Sequence, residues 1–224
     1  MLFLFIILFI LIIIFICNSL IYRRNIMFKK KLLNAKKIKL QDFVNMLKPG
    51  DIIFTGHKNI KNFGIIMINN SLNEILYHLF IVLPNKNFMH FVYKKYKPFY
   101  DSYFEENKNS LLRVGSLEEY FKHFYNEYPL YCLFRHENNN NILFHNLIDK
   151  NLSNGKFFNI LNFYKKKTKN IELTCNSFLG YLLEKNKYIF PCKKNINLYY
   201  NPKNIINHVF PKINYKKNGI FILE

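Results

Sequence analysis

The chain has 224 residues, with 33 Lys plus Arg against 14 Asp plus Glu, a net charge of +19 with His neutral. Half of the residues are hydrophobic and 18% are aromatic, which excludes a disordered chain, while seven Gly and seven Pro exclude collagen-like and Pro-rich sequences. Four Cys are too few for a disulfide scaffold, and no CxxC pair points to zinc.

The excess of Lys, Asn, Ile, Phe and Tyr is what an AT-rich genome favours, such as that of a large DNA virus, so the positive charge alone does not identify a partner. Arg, the residue that forks onto bases and phosphates, stands only at Arg23, Arg24, Arg113 and Arg135. A basic face toward an anionic membrane is therefore the leading expectation, with nucleic-acid binding the lesser one.

Residues 1–22 carry no charge, and Leu2 to Cys17 is an unbroken apolar run. About 20 apolar residues cross a bilayer core. No Lys or Arg precedes the run and no A-x-A-like site follows it, so it reads as an uncleaved transmembrane anchor rather than a signal peptide. Arg23, Arg24, Lys29, Lys30, Lys31, Lys36, Lys37 and Lys39 follow, which by the positive-inside rule places the rest of the chain in the cytoplasm. A reducing compartment would leave Cys132, Cys175 and Cys192 as thiols. The expected organisation is an anchor over 1–22, a basic juxtamembrane linker over 23–40 and one domain over 41–224.

Lys48-Pro49-Gly50-Asp51 marks a turn, and Ile52-Ile53-Phe54 a short buried strand. Residues 59–73 suit a short helix or a loop. Ile75 to Leu83 and Phe88 to Tyr93 read as strands of one hairpin about the Pro84–Asn87 turn. Ser116-Leu117-Glu118-Glu119 fits a capping box opening a helix to about Tyr125, and Tyr131 to Phe134 is a further strand. His136 to Asn141 reads as a polar loop, and Ile142 to Asn151 as a helix. An aromatic, basic stretch spans Lys156 to Lys169. Cys175, Phe178, Leu179, Leu182 and Leu183 then fall on one face of a 3.6-residue period, the clearest helix in the chain. Residues 188–224 look irregular apart from a last strand near Ile220 to Leu223.

Cys175 begins its helix, where free N–H groups and the helix dipole favour a thiolate and could hold an oxyanion. A Cys on an apolar helical face is otherwise a small core hydrophobe. His78 lies inside an apolar strand, where an ionisable residue needs a reason. His90 follows twelve positions later on the partner strand. The two share a sheet face only if cross-strand partners sum to an even number, which requires a three- or five-residue loop centred on Asn85. A four-residue loop would instead bring Tyr93 opposite His78. The other histidines (57, 123, 136, 145 and 208) have no metal-ligand spacing, and no phosphate-binding Gly-rich loop is present, so no cofactor or metal is expected.

Leu47 to Phe54 with its Pro-Gly-Asp turn, His78 on a strand, and Thr174-Cys175-Asn176-Ser177-Phe178 opening a helix together resemble the circularly permuted papain-like cysteine hydrolases. The resemblance covers residues 47–185 and lies between the bacterial permuted papain-like amidases and the lecithin:retinol acyltransferase-like family. It implies an α+β fold, with a small antiparallel sheet packed on the Cys-bearing helix. It also implies Cys175 as nucleophile, His78 as general base and His90 as third residue. Phe80 stands where the family has Gly, and Ser177 where it has an acidic residue. The expected activity is that of a membrane-anchored thiol hydrolase or acyltransferase acting on an amide, peptide or lipid ester. The alternative is an inactive descendant serving as a structural or binding membrane protein.

Overall fold

Residues Leu2–Leu33 form one unbroken helix, α1, in a computed structural model that describes residues 2–56, 76–92, 101–126, 129–138, 142–157, 171–191 and 196–224. No Gly or Pro interrupts that run, and Leu, Lys and Arg favour helix at its end. The helix is long and apolar enough to cross a membrane, and residues 3–16 are all exposed.

The last turns of α1 pack against the folded body. Phe28 is buried in the main core, with Met27, Leu32 and Ala35 packed beside it. The chain then enters β1 (Lys36–Ile38), which pairs in parallel with the end of β10 (Tyr215–Leu223). Residues 27–38 are thus part of the folded body. A chain starting at residue 41 lacks β1 and Phe28, and loses at least about 3 kcal/mol relative to one starting at residue 23, the usual cost of emptying a buried Phe site. Urea unfolding of the two chains measures the difference.

Eight strands make one mixed sheet in the order β1-β10-β7-β2-β3-β4-β6-β5. The inner strands are β2 (Ile52–Gly56), β3 (Leu76–Val82), β4 (Asn87–Phe91), β6 (Leu112–Ser116) and β7 (Leu130–His136), with β5 (Asp101–Ser102) at the far edge. The α+β class holds, but the sheet is larger than expected and not purely antiparallel, because β1 runs parallel to β10. Two further segments, β8 (Lys156–Phe157) and β9 (Glu172–Leu173), pair in parallel with each other.

Side-chain alternation gives the sheet two cores. On one face α2 (Leu40–Met46) and α3 (Leu117–Phe124) pack Phe43, Tyr120 and Phe121 against Ile53, Phe80, Val82, Phe88 and Tyr131. On the other, α4 (Cys175–Lys185) packs Phe178, Leu179, Leu182 and Leu183 in the cluster that holds Phe54, Leu79, Ile81, Met89 and Phe91.

Three local expectations change. Ser116 precedes α3 without a side-chain cap, its backbone being paired with Asn87 in the sheet. The helix expected over 142–151 is two short 3-10 segments, Phe144–Leu147 and Lys150–Asn154. The tail is ordered: α5 (Ile196–Tyr199), α6 (Pro202–Asn204), a π turn at Ile205–Val209 and a 3-10 turn at Phe210–Ile213 lead into the nine residues of β10. Exposed Lys216, Lys217 and Asn218 mask the start of that strand, and a bulge between Lys217 and Gly219 shifts its alternation.

The Pro-Gly-Asp turn is a structural anchor. Gly50 takes φ 89°, which favours Gly, and its N–H donates to Val82 O at 2.8 Å. Tyr215 Oη donates to Gly50 O at 2.7 Å. The Asp51 carboxylate, fully buried, accepts from Arg135 Nε at 2.8 Å and Nη2 at 2.6 Å, and from Lys48 N at 2.8 Å. Arg135 also donates to Met46 O at 2.8 Å, so one pair ties α2, β2 and β7 together.

Candidate functional site

Pro84–Lys86 forms a 3-10 turn in which Asn85 and Lys86 have positive φ. Ile81 then pairs with Met89 and Val82 with Phe88, so partners sum to 170, an even number centred on Asn85. His78 and His90 therefore share a face. His78 Nε2 lies 2.7 Å from His90 Nδ1, with the rings edge to face at 4.9 Å. The competing residue Tyr93 lies outside the described residues, as do residues 59–73, 139–141, 158–169, His57 and Cys192.

The histidines belong to a row of polar residues crossing five strands. Thr55 is paired with both His78 and Tyr131, and His90 is paired with Arg113. Thr55, Tyr131, His90 and Arg113 are all buried. Thr55 Oγ1, Tyr131 Oη and Arg113 Nε have no hydrogen-bond partner among the described residues. Such orphans are uncommon in native interiors. Sequence reading passes over Thr55 and Arg113 because each, taken alone, is an ordinary polar strand residue.

Cys175 comes from the opposite face of the sheet. Thr174 caps α4 by accepting from Ser177 N at 3.1 Å, and Ser177 Oγ receives Thr174 N–H at 2.7 Å, a reciprocal capping box. Ser177, which replaces the acidic residue of the resembled family, is thus the cap's second half. Asn197 on α5 braces it, Oδ1 accepting from Thr174 N at 3.0 Å and from Ser177 Oγ at 2.5 Å, while Nδ2 donates to Glu172 O at 2.9 Å.

This cap sets the sulfur against the main chain of β3. Odd-numbered residues of β3 direct their backbone groups toward β4, as Leu83 N–H does to Asn87 O, but the β3–β4 ladder covers only 81–82 against 88–89. Where the ladder stops, the Leu79 backbone hydrogen-bonds the Cys175 sulfur instead, together with backbone groups of Asn176 and of Cys175 itself. The structure thus joins His78 to His90 side chain to side chain. It brings Cys175 to the main chain of the residue after His78, at the fork between β3 and β4.

The electrostatics depart from a thiol poised as thiolate. Burial pushes the Cys175 thiol up to about 11, outweighing the backbone hydrogen bonds that favour the anion. Burial lowers His78 to about 4 and holds His90 well below its usual range, with the charges of His78 and Arg113 adding to the effect on His90. The thiol and both imidazoles are therefore neutral at rest.

The same shifts predict acid sensitivity. A histidine lowered by folding stays neutral in the native state while its unfolded form takes up a proton below about pH 6.5. Its stabilising contribution is complete above pH 6.5 and drains away as pH falls toward 4. Over that window His78 contributes a slope of up to about 1.4 kcal/mol per pH unit, and His90, also lowered, adds in the same direction. Urea unfolding between pH 7 and 5 should show this loss, and His90→Gln should flatten it.

No protein-family model, curated protein or solved structure matches the chain.

Proposed function

We propose that the protein is a membrane-anchored thiol hydrolase or acyltransferase of permuted papain-like fold. Cys175 is its nucleophile, His78 its general base and His90 the group that orients the base. The observation that carries this reading is the fork between β3 and β4. There the capped sulfur of Cys175 is hydrogen-bonded by the backbone next to His78, whose Nε2 is 2.7 Å from His90 Nδ1. Nucleophile, base and orienter in that order are what acyl transfer needs.

In the reaction, the His78 side chain, which leaves β3 on the face opposite α4, turns through the fork to meet the sulfur, and the sulfur attacks an amide or ester carbonyl as its proton passes to His78. The backbone N–H groups at the start of α4 stabilise the tetrahedral oxyanion. His78 then gives the proton to the departing amine or alcohol, leaving a thioester on Cys175. Water, or an amine or hydroxyl acceptor, attacks the thioester while His78 takes its proton, and the restored thiol recovers that proton as the acyl group leaves. The substrate lies at the membrane surface on the cytoplasmic side.

A second reading is an inactive, binding-only protein. The raised thiol and lowered imidazole favour it, since both keep the proton on sulfur. Iodoacetamide labelling of the full-length chain between pH 6 and 10 separates the two. In the enzyme, Cys175 reacts faster than buried Cys132 at pH 7 and slows in His78→Ala. In the binder, Cys175 reacts no faster than Cys132, with or without His78.

A further inference from the structure

We propose that Arg113 is a positioning residue of the histidine pair: its buried guanidinium, facing His90 across the β4–β6 ladder, keeps the catalytic proton on His78. This rests on the acyl-transfer reading above and adds a residue to it.

Arg113 is only 3% exposed and is the direct register partner of His90, so the two side chains leave the same face of adjacent strands. Its Nη2 donates to Lys108 O at 3.0 Å, and its buried Nε has no hydrogen-bond partner among the described residues. Asp101 on β5 attracts the guanidinium, yet no described salt bridge joins them, and burial lowers Arg113 overall. An incompletely neutralised buried cation is costly, and such a feature persists where it serves something.

Among the described residues, the ionisable groups facing His90 include His78 on β3, Arg113 on β6 and Tyr120 on α3, with the Phe88 ring of β4 beside them. The 2.7 Å bond admits two proton placements. With His78 Nε2–H donating to His90 Nδ1, His78 Nδ1 is a free base. With His90 Nδ1–H donating to His78 Nε2, neutral His78 carries its proton on Nδ1 and cannot accept one from sulfur. A protonated His90 enforces the second arrangement. A fixed positive charge beside His90 disfavours that state, so when His78 receives the thiol proton its Nε2–H stays put. The imidazolium then remains on His78, whose following residue meets the sulfur through its backbone, and the proton is available for the leaving group.

The test is 15N NMR of imidazole-labelled, full-length protein in detergent micelles. It is run in a Cys175→Ala background with Arg113 intact, with Arg113→Gln and with Arg113→Lys. With Arg113 or Lys, His90 stays neutral with Nδ1 unprotonated, and the first proton taken up by the pair on acidification appears on His78. With Gln, the apparent pKa of the pair rises by about one unit or more and His90 takes a share of that first proton. A first proton on His90 with Arg113 intact overturns the proposal, as does an unchanged titration in folded Arg113→Gln. Should the Gln variant not fold, the wild-type and Lys spectra still decide. The readout needs no turnover, so its failure is separate from a failure of acyl transfer.

Discussion

Replacing His78 by Ala should lower ester turnover by about 10²–10⁴-fold, the usual contribution of a positioned general base. The effect belongs at the upper end, because the resting thiol is raised to about 11 and cannot supply a thiolate unaided at neutral pH. A p-nitrophenyl ester assayed on full-length protein in micelles reads this directly. His90→Ala should cost less than His78→Ala, since it removes the orienter and leaves the base. Equal rates in wild type and His78→Ala would show that the imidazole takes no proton from sulfur.

Asp51→Ala should destabilise the fold by about 3–5 kcal/mol, because it leaves the Arg135 guanidinium half-buried without its carboxylate. Thermal or urea unfolding measures it. Asp51→Asn should cost less, since an amide oxygen still accepts from Lys48 N. Adding Arg135→Met to Asp51→Ala should recover part of the loss, as the uncompensated charge goes with it. An Asp51→Ala chain as stable as wild type would mean that the Pro-Gly-Asp turn does not depend on this pair.

These two predictions separate what was legible in the sequence from what was not. The α4 helix was legible because five apolar positions keep one helical period, and the Thr174 cap lies just where the period begins. The hairpin was legible from its apolar runs, but its register was not. Register depends on Asn85 and Lys86 both taking positive φ, which Pro84-Asn85-Lys86-Asn87 permits without requiring. The start of β10 was hidden by exposed Lys216 and Lys217, and the 3-10 segments by helix-like composition around Phe144.

The site divides in the same way. Cys175, His78 and His90 stood out by residue type and order. The thiol's direction of shift did not, because a helix N-terminus argues for a lowered value while burial, invisible in the chain's order, raises it. Arg113 and Thr55 gain meaning only when strand register aligns them with the histidines. The buried Asp51–Arg135 pair joins residues far apart in sequence and was likewise out of reach.

The most direct test is to incubate full-length protein with an activated acyl ester, quench in acid and determine the intact mass and the site of modification. The account predicts one hydroxylamine-sensitive acyl group on Cys175, absent from Cys17 and Cys132 and lost in His78→Ala. An unmodified Cys175, or one acylated equally well without His78, would contradict it.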